Sequence, residues 1–160
     1  MYHYTDGGLQ NVWLANGYTL RTTPFGDAIT IHDTDGLTRA ICLALTSKSG
    51  ILTGTEFRYI RQGGMALSQP ALGKMLGIDA QSVARWEKTG KVPKWADKLL
   101  RLLYVAQANG HEPICQAMER LRVVERLVKQ RIVVQESAHG WQPTLQPIES
   151  GGEALGKAFV

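Results

Sequence analysis

Apolar residues recur along this chain with two different periods, and the change of period divides it. Near the start they alternate. Val12-Trp13-Leu14-Ala15, the pair Asn16-Gly17 and Tyr18-Thr19-Leu20-Arg21 make the strongest short-range hairpin signal in the sequence, because Asn-Gly suits the tight turns that match strand twist. Pro24-Phe25-Gly26-Asp27 reads as a second turn and Ala28-Ile29-Thr30-Ile31 as a third strand, giving an antiparallel meander. The period then lengthens. Leu37, Ile41 and Leu45 repeat every four residues, which predicts a helix from about Leu37 to Thr46, capped by Asp33 or Asp35 and able to cover the sheet. Ser47-Lys48-Ser49-Gly50 follows as a natural hinge, closing an N-terminal α+β unit over residues 1–50.

From Leu52 to Tyr104 the pattern is helical and dense in capping residues. Thr53-Gly54-Thr55-Glu56 is a capping box, so a helix starts there and carries Phe57, Ile60 and Arg61 to Gly63-Gly64, where backbone entropy stops it. Ser68 caps a second helix with Gln69 and Pro70 in its first turn and Leu72, Met75 and Leu76 as its stripe, and Gly77 ends it. Asp79 caps a third helix from Ala80 to Lys88. There Val83 and Trp86 face inward, which turns Ala80, Gln81, Ser82, Ala84 and Arg85 to solvent. A small, polar and basic outer face of this kind suits the major groove of DNA, since Gln and Arg can bond adenine and guanine edges.

After the loop Thr89-Gly90-Lys91-Val92-Pro93, a fourth helix is predicted to Ala108 on the stripe Ala96, Leu99, Leu100, Leu103 and Tyr104, stopped by Asn109-Gly110. Pro113 opens a fifth, with Ile114, Ala117, Met118, Leu121, Val124, Leu127 and Val128 at spacings of three and four. That last stripe has two readings: cover for the core, or a subunit interface. Ile132 to Glu136 reads as a short strand, with Gly140-Trp141-Gln142 returning to extend the N-terminal sheet of the same subunit or of a partner. From Pro143 on, Pro, Gly and polar residues predict mobility, so residues 111–142 form a helix with short strands and 143–160 a flexible tail.

Charge sharpens this division. Between Ile51 and Gly110 nine Lys and Arg face four acids, whereas the first 50 residues hold three against four and the last 50 six against six. All the excess positive charge of a chain with net charge +4 therefore lies in the middle, the electrostatic footprint of a phosphate-binding surface. A 44% hydrophobic composition is enough for a core, and no stretch reaches the roughly 20 apolar residues of a membrane span. The start of the chain lacks signal-peptide character, so a cytoplasmic setting, bacterial or phage or mobile-element, is expected. Cys42 and Cys115 each sit in an apolar helical pattern and read as two buried thiols, not as a disulfide. His32-Asp33-Thr34-Asp35-Gly36 offers two carboxylates and a His but lacks the remaining ligands of a calcium loop, so turn and cap chemistry explains it and no metal or cofactor is expected.

The run Leu67-Ser68-Gln69-Pro70-Ala71-Leu72-Gly73-Lys74-Met75-Leu76-Gly77-Ile78 with Gln81-Ser82-Val83-Ala84-Arg85-Trp86-Glu87-Lys88 resembles the Cro/CI-type helix-turn-helix family, also called the xenobiotic-response-element type. With Leu52 to Glu56 upstream and Ala96 to Tyr104 downstream, it is most similar to the MqsA-like antitoxin regulators, without the zinc-binding cysteines that such proteins often carry near the N-terminus. The resemblance covers about a third of the chain. It implies an α+β fold in which the meander and its helix precede a five-helix, lambda-repressor-like helix-turn-helix domain with a C-terminal helix, its DNA-binding part over residues 51–110. It implies that Gln69 contacts phosphate, that Ala80, Gln81, Ser82 and Arg85 face bases or the adjoining backbone, and that Glu87 braces an Arg of the preceding helix. Ser68, Lys74, Lys88 and Lys91 complete the candidate DNA-binding set. Arg61 lies about one residue further from Gln69 than the family spacing, which works against an Arg61–Glu87 pair.

Two functions follow as expectations. One is a dimeric repressor that reads a palindromic operator in double-stranded DNA and regulates its own synthesis. The other is an antitoxin of a type II pair that also binds a cognate toxin. No nucleophile elbow, Walker loop, HExxH or paired-carboxylate constellation is present in the sequence, so no catalytic residue is assigned. The alternative to DNA binding altogether is a helical bundle with a merely solvated polar face.

Overall fold

The computed structural model describes residues 1–121 and 130–148. Val12–Leu14 forms a strand as its alternation requires, but it pairs with the N-terminal Tyr2–Tyr4 (β1) and not with the segment after Asn16-Gly17. A two-residue turn of the type favoured by Asn-Gly needs positive φ at both central positions. Only Gly17 takes it, at +81°, so the expected hairpin does not close. Asn16-Gly17 instead redirects the chain from the β1–β2 ribbon (β2 being Val12–Leu14) into a second one, Tyr18–Thr23 (β3) and Gly26–Ile31 (β4), joined at Pro24-Phe25. His3 stacks on Trp13 at 4.2 Å and Tyr2 meets Tyr18 at 5.4 Å, aromatic contacts that the first ribbon gains through this pairing. The expected meander is thus two separate two-stranded sheets.

Helix α1 (Thr34–Ser47) is capped by Asp33, whose Oδ1 accepts the Gly36 amide at 2.9 Å, while the His32 ring meets Thr19 Oγ1 at 2.8 Å. The cap uses the carboxylate that a metal would want. Ile41, Cys42 and Leu45 are buried and Leu37 packs against them. The segment after α1 is no hinge. Arg101 Nη1 donates to the carbonyls of Thr46 and Lys48, its Nη2 to that of Gly50, and Asp97 Oδ1 accepts the Leu52 amide. Those orphan carbonyls at a helix end need donors, and a guanidinium two turns into a neighbouring helix supplies them.

Helix α2 (Gly54–Arg58) starts on the capping box: Thr53 Oγ1 accepts the Glu56 amide at 3.2 Å and Glu56 Oε1 accepts the Thr53 amide at 2.9 Å. Glu56 Oε1 also receives Lys48 Nζ at 2.5 Å. Burial pushes the Glu56 carboxyl up, but the bonds from Lys48 and Thr53 outweigh it and its pKa lies below the ordinary value. A depressed folded pKa contributes stability above the unfolded value, about 4.3, that is lost as pH falls through the folded one. Urea midpoints taken through the acid range are expected to drop below that pH, and Glu56→Gln to flatten the drop; an unchanged profile would remove this role for the carboxylate.

The helix ends at Gly63-Gly64 as expected, but not as regular α-helix. It widens into one π-helical turn, Tyr59–Gly64, closed by the Met65 amide on Ile60 O at 2.9 Å. Gly64 serves packing: a Cβ there would stand 2.8 Å from Cys42 Sγ and 2.8 Å from the Tyr104 ring. Helices α3 (Gln69–Leu76) and α4 (Ala80–Thr89) have the predicted caps, with Ser68 Oγ accepting the Ala71 amide and Asp79 Oδ1 the Ser82 amide, and α5 (Lys94–Ala108) stops at Asn109 as expected. Helix α6 (Glu112–Leu121) buries Met118, half-buries Ile114 and Leu121 and leaves Ala117 exposed; Val124, Leu127 and Val128 lie outside the described residues.

One cluster of buried side chains, from Leu9 through Cys42, Phe57, Leu72 and Leu100 to Met118, runs across position 50. Residues 1–121 lie in one compact unit and 130–148 in a second. Cys42 is fully buried and burial pushes its thiol up to about 11, whereas Cys115 is only half-buried and so departs from the expected pair of buried thiols. In the second unit β5 (Gln130–Ser137) pairs with β6 (Gly140–Pro147) as a two-stranded sheet. The segment from Pro143 to Pro147, expected to be mobile, is strand, because it continues a register that Ile132 and Val134 hold on the other side. The remainder of the expected tail, 149–160, lies outside the described residues. The fold is therefore mixed, with six helices and three small antiparallel sheets among the described residues, and no helix among them is long and apolar enough to cross a membrane.

Candidate nucleic-acid interface

Three residues, Gly77-Ile78-Asp79, join α3 to α4. Gly77 takes φ +70° to end α3, and the Ile78 amide reaches back to Gly73 O at 2.9 Å. Gly73 has to be glycine for space, since a Cβ would come 2.7 Å from Ile78 O. The turn is therefore drawn tightly over the last turn of α3, and α4 leaves it at once. Asp79 then caps α4; the Ser82 amide bond holds its carboxyl below the usual range, with Arg85 adding to the effect.

The inner face of α4 is fixed from three sides. Val83 is fully buried, and Trp86 meets Phe57 of α2 edge-on at 6.1 Å and Trp95 of α5 at 5.8 Å. Glu87 supplies the third hold. Arg61 Nε donates to Glu87 Oε1 at 2.5 Å and Arg61 Nη2 to Oε2 at 3.0 Å, a bidentate pair in which both side chains are about 6% exposed. The pairing that the spacing disfavoured is made, because the π turn absorbs the additional residue and brings Arg61 back onto α4. Arg61 Nη1 also donates to Leu67 O at 2.7 Å while Arg61 O accepts the Leu67 amide at 3.0 Å, so this one residue brackets the whole exit of the π turn.

The outer face of α4 is free of such holds. Gln81, Arg85 and Lys88 are exposed and stand at spacings of four and three, a single stripe along the helix. Arg85 makes one light contact, from Nη2 to Ser82 Oγ at 3.2 Å, with Ser82 half-buried beside it. Ala80 is half-buried at the helix start. Lys74, at the end of α3, and Lys91, past the end of α4, are exposed, and so is Ser68, whose hydroxyl is occupied as a cap. Gln69 is placed differently from its neighbours: it is half-buried and its Nε2 donates to Glu87 Oε2 at 2.9 Å, which joins it to the brace.

An open cleft of about 820 Å3 runs beside the stripe, bordered by Ala84 and Lys88 of α4, Gln69 of α3, and Arg58 and Gln62 of the α2 helix and π turn. Arg58 and Gln62, bonded to each other at 3.2 Å, were not singled out by sequence reasoning. Their spacing of four after a capping box was the available signal, but read as a regular α-helix the segment gave no reason to aim them at α4. The arrangement offers a rigid helix with hydrogen-bonding side chains outward and exposed cations at Lys74, Lys88 and Lys91. Comparison of the chain with protein-family models, with curated proteins and with solved structures yields no match in any of the three.

Proposed function

We propose that this chain is a sequence-specific transcriptional regulator, acting as a repressor, whose α3 and α4 are the two helices of a Cro/CI-type helix-turn-helix and whose α4 enters the major groove of double-stranded DNA. The observation that carries this reading is the contrast between the two faces of α4: Val83, Trp86 and Glu87 are locked inward while Gln81, Arg85 and Lys88 are left outward. A helix about 10–12 Å across fits a groove about 12 Å wide, and only side chains held on a rigid element read base edges with useful selectivity. Arg85 is the natural reader of guanine N7 and O6, and Gln81 of adenine N6 and N7. Lys88 within the stripe, with Lys74, Lys91 and Arg58 on the adjoining segments, supplies the salt-dependent attraction to phosphates.

Footprinting on the DNA upstream of the chain's own reading frame tests the proposal and identifies the operator. On that operator Arg85→Ala is expected to cost about 1–3 kcal/mol of specific binding and to relax the preference at one base pair. The variant should fold normally, since Arg85 is exposed and, among the described residues, its side chain bonds only to Ser82. Unchanged operator affinity in the folded variant would sink the assignment.

A further inference from the structure

The β5–β6 ribbon has two unlike faces and two unlike edges. Its register puts Ile132 opposite Leu145, Val134 opposite Pro143 and Glu136 opposite Trp141 on one face. The other face carries Arg131 opposite Gln146, Val133 opposite Thr144 and Gln135 opposite Gln142. The second face satisfies itself, with Arg131 Nε and Nη2 both donating to Gln146 Oε1 at 3.1 and 3.0 Å. The first is apolar and open: Ile132 is 69% exposed, Leu145 62% and Trp141 65%.

The edges decide what can meet it. Ser137 and Gly140 close the two-residue turn, so hydrogen-bonded pairs alternate back from there through 135–142, 133–144 and 131–146. Positions 130, 132, 134 and 136 of β5, and 141, 143, 145 and 147 of β6, therefore aim their backbone groups away from the ribbon. On β6 two of those four are Pro143 and Pro147, which have no N–H to offer, and proline at such positions shuts an edge to further strands. On β5 all four, Gln130, Ile132, Val134 and Glu136, keep their donors, and every residue of the strand is exposed. A lone two-stranded ribbon is marginal in water, and independent stability needs three or more strands with an apolar face or packing against a helix.

We infer that β5 is a self-association edge, on which β5 of a second copy of this chain pairs antiparallel to make a four-stranded sheet. A strand that meets its own copy about a two-fold axis pairs residues whose numbers have a constant sum. Centring on Val133 sets Ile132 against Val134 of the second copy, and Val134 against its Ile132, with Gln130 against Glu136 at the ends. Moving the centre by one residue sets Ile132 against Glu136, or Gln130 against Val134, and keeps one apolar pair, Val134 or Ile132 against its own copy, where the register centred on Val133 has two. The occupant is a second copy because β5 is complementary to itself, most fully in the register centred on Val133. The inference concerns the ribbon alone and does not depend on the DNA reading.

Sedimentation of the full chain at micromolar concentration is expected to give twice the monomer mass. Ile132→Pro removes an outward donor from β5 without breaking a bond within the ribbon, and is expected to return the chain to monomer mass. In the full chain Val133→Cys is expected to form an intermolecular disulfide under mild oxidation, since its two copies face each other across the axis at the close spacing of a non-hydrogen-bonded pair. Gln135→Cys, whose copies stand apart, is expected to form none. A monomeric parent chain would overturn the inference. So would a dimer that Ile132→Pro leaves intact, or disulfides formed equally at 133 and 135.

Discussion

Glu87→Ala is expected to destabilise the fold by about 3–5 kcal/mol, because it removes one partner of a buried ion pair and leaves the other charge in place. Arg61 is 5% exposed, and with Glu87 gone its guanidinium retains only the Leu67 carbonyl, at 2.7 Å. Gln69 loses its acceptor too. Against a total of about 5–15 kcal/mol for a domain, a loss of that size takes much of the stability. The pair itself is worth far less than this, since two charges removed from water give back most of their attraction as desolvation. Arg61→Met with Glu87→Leu is therefore expected to recover most of the loss. Urea denaturation of the single and double variants measures both. A single variant within 1 kcal/mol of the parent would show that the two charges do not depend on each other. The double variant separates stability from position, because α4 would keep its fold but lose the bidentate hold that fixes its rotation; weakened operator binding with restored stability is the expected combination.

The brace also marks where the sequence could be read and where it could not. Thr53 with Glu56, Ser68 and Asp79 were legible as caps because a cap is a bond between residues three apart, settled by local chain geometry alone. The outward stripe on α4 was legible for the same reason, through the spacing of Val83 and Trp86. Strand pairing was not. Asn16-Gly17 is a local signal, and the choice between β3 and β1 as partner of β2 depends on Tyr2 and His3, ten or more residues away, finding aromatic partners. The π turn was hidden in a different way. Gly63-Gly64 is a good helix stop by propensity, yet Gly64 is there so that Cys42 and Tyr104 can close over the backbone, and that crowding exists only after α1 and α5 have packed. Once that last turn is taken for ordinary α-helix, Arg61 falls out of step with Glu87, and the extra residue looks like a departure when it is the width of one wider turn.

Gly54→Ala is a case in which two effects of opposite sign compete. At the first position of α2, with negative φ, alanine should gain up to about 1 kcal/mol over glycine from helix propensity and reduced freedom of the unfolded chain. The tertiary contact opposes it. A Cβ at Gly54 would stand 2.1 Å from Glu87 O, 2.8 Å from Glu87 C and 2.9 Å from Trp86 O, all of them backbone atoms at the end of α4. No rotamer can relieve that, so α2 and α4 must part by about 1 Å. Overpacking costs about 1–3 kcal/mol where side chains can yield, and here they cannot, so a net loss near 3 kcal/mol is expected. Parting the two helices also strains the edge contact of Phe57 with Trp86 and stretches the Arg61–Glu87 bonds, which are the contacts that aim the stripe. Operator affinity should then fall further than the population of unfolded chain accounts for, measured by titration at a temperature where the variant is folded. Gly50→Ala is the matching control. It has nothing within 4 Å of its Cβ and suffers only from φ +82°, so it should lose about 1 kcal/mol of stability and no affinity. A stabilised Gly54→Ala variant would mean that α2 does not rest on the backbone of α4, and that the orientation of the proposed reading helix is set elsewhere.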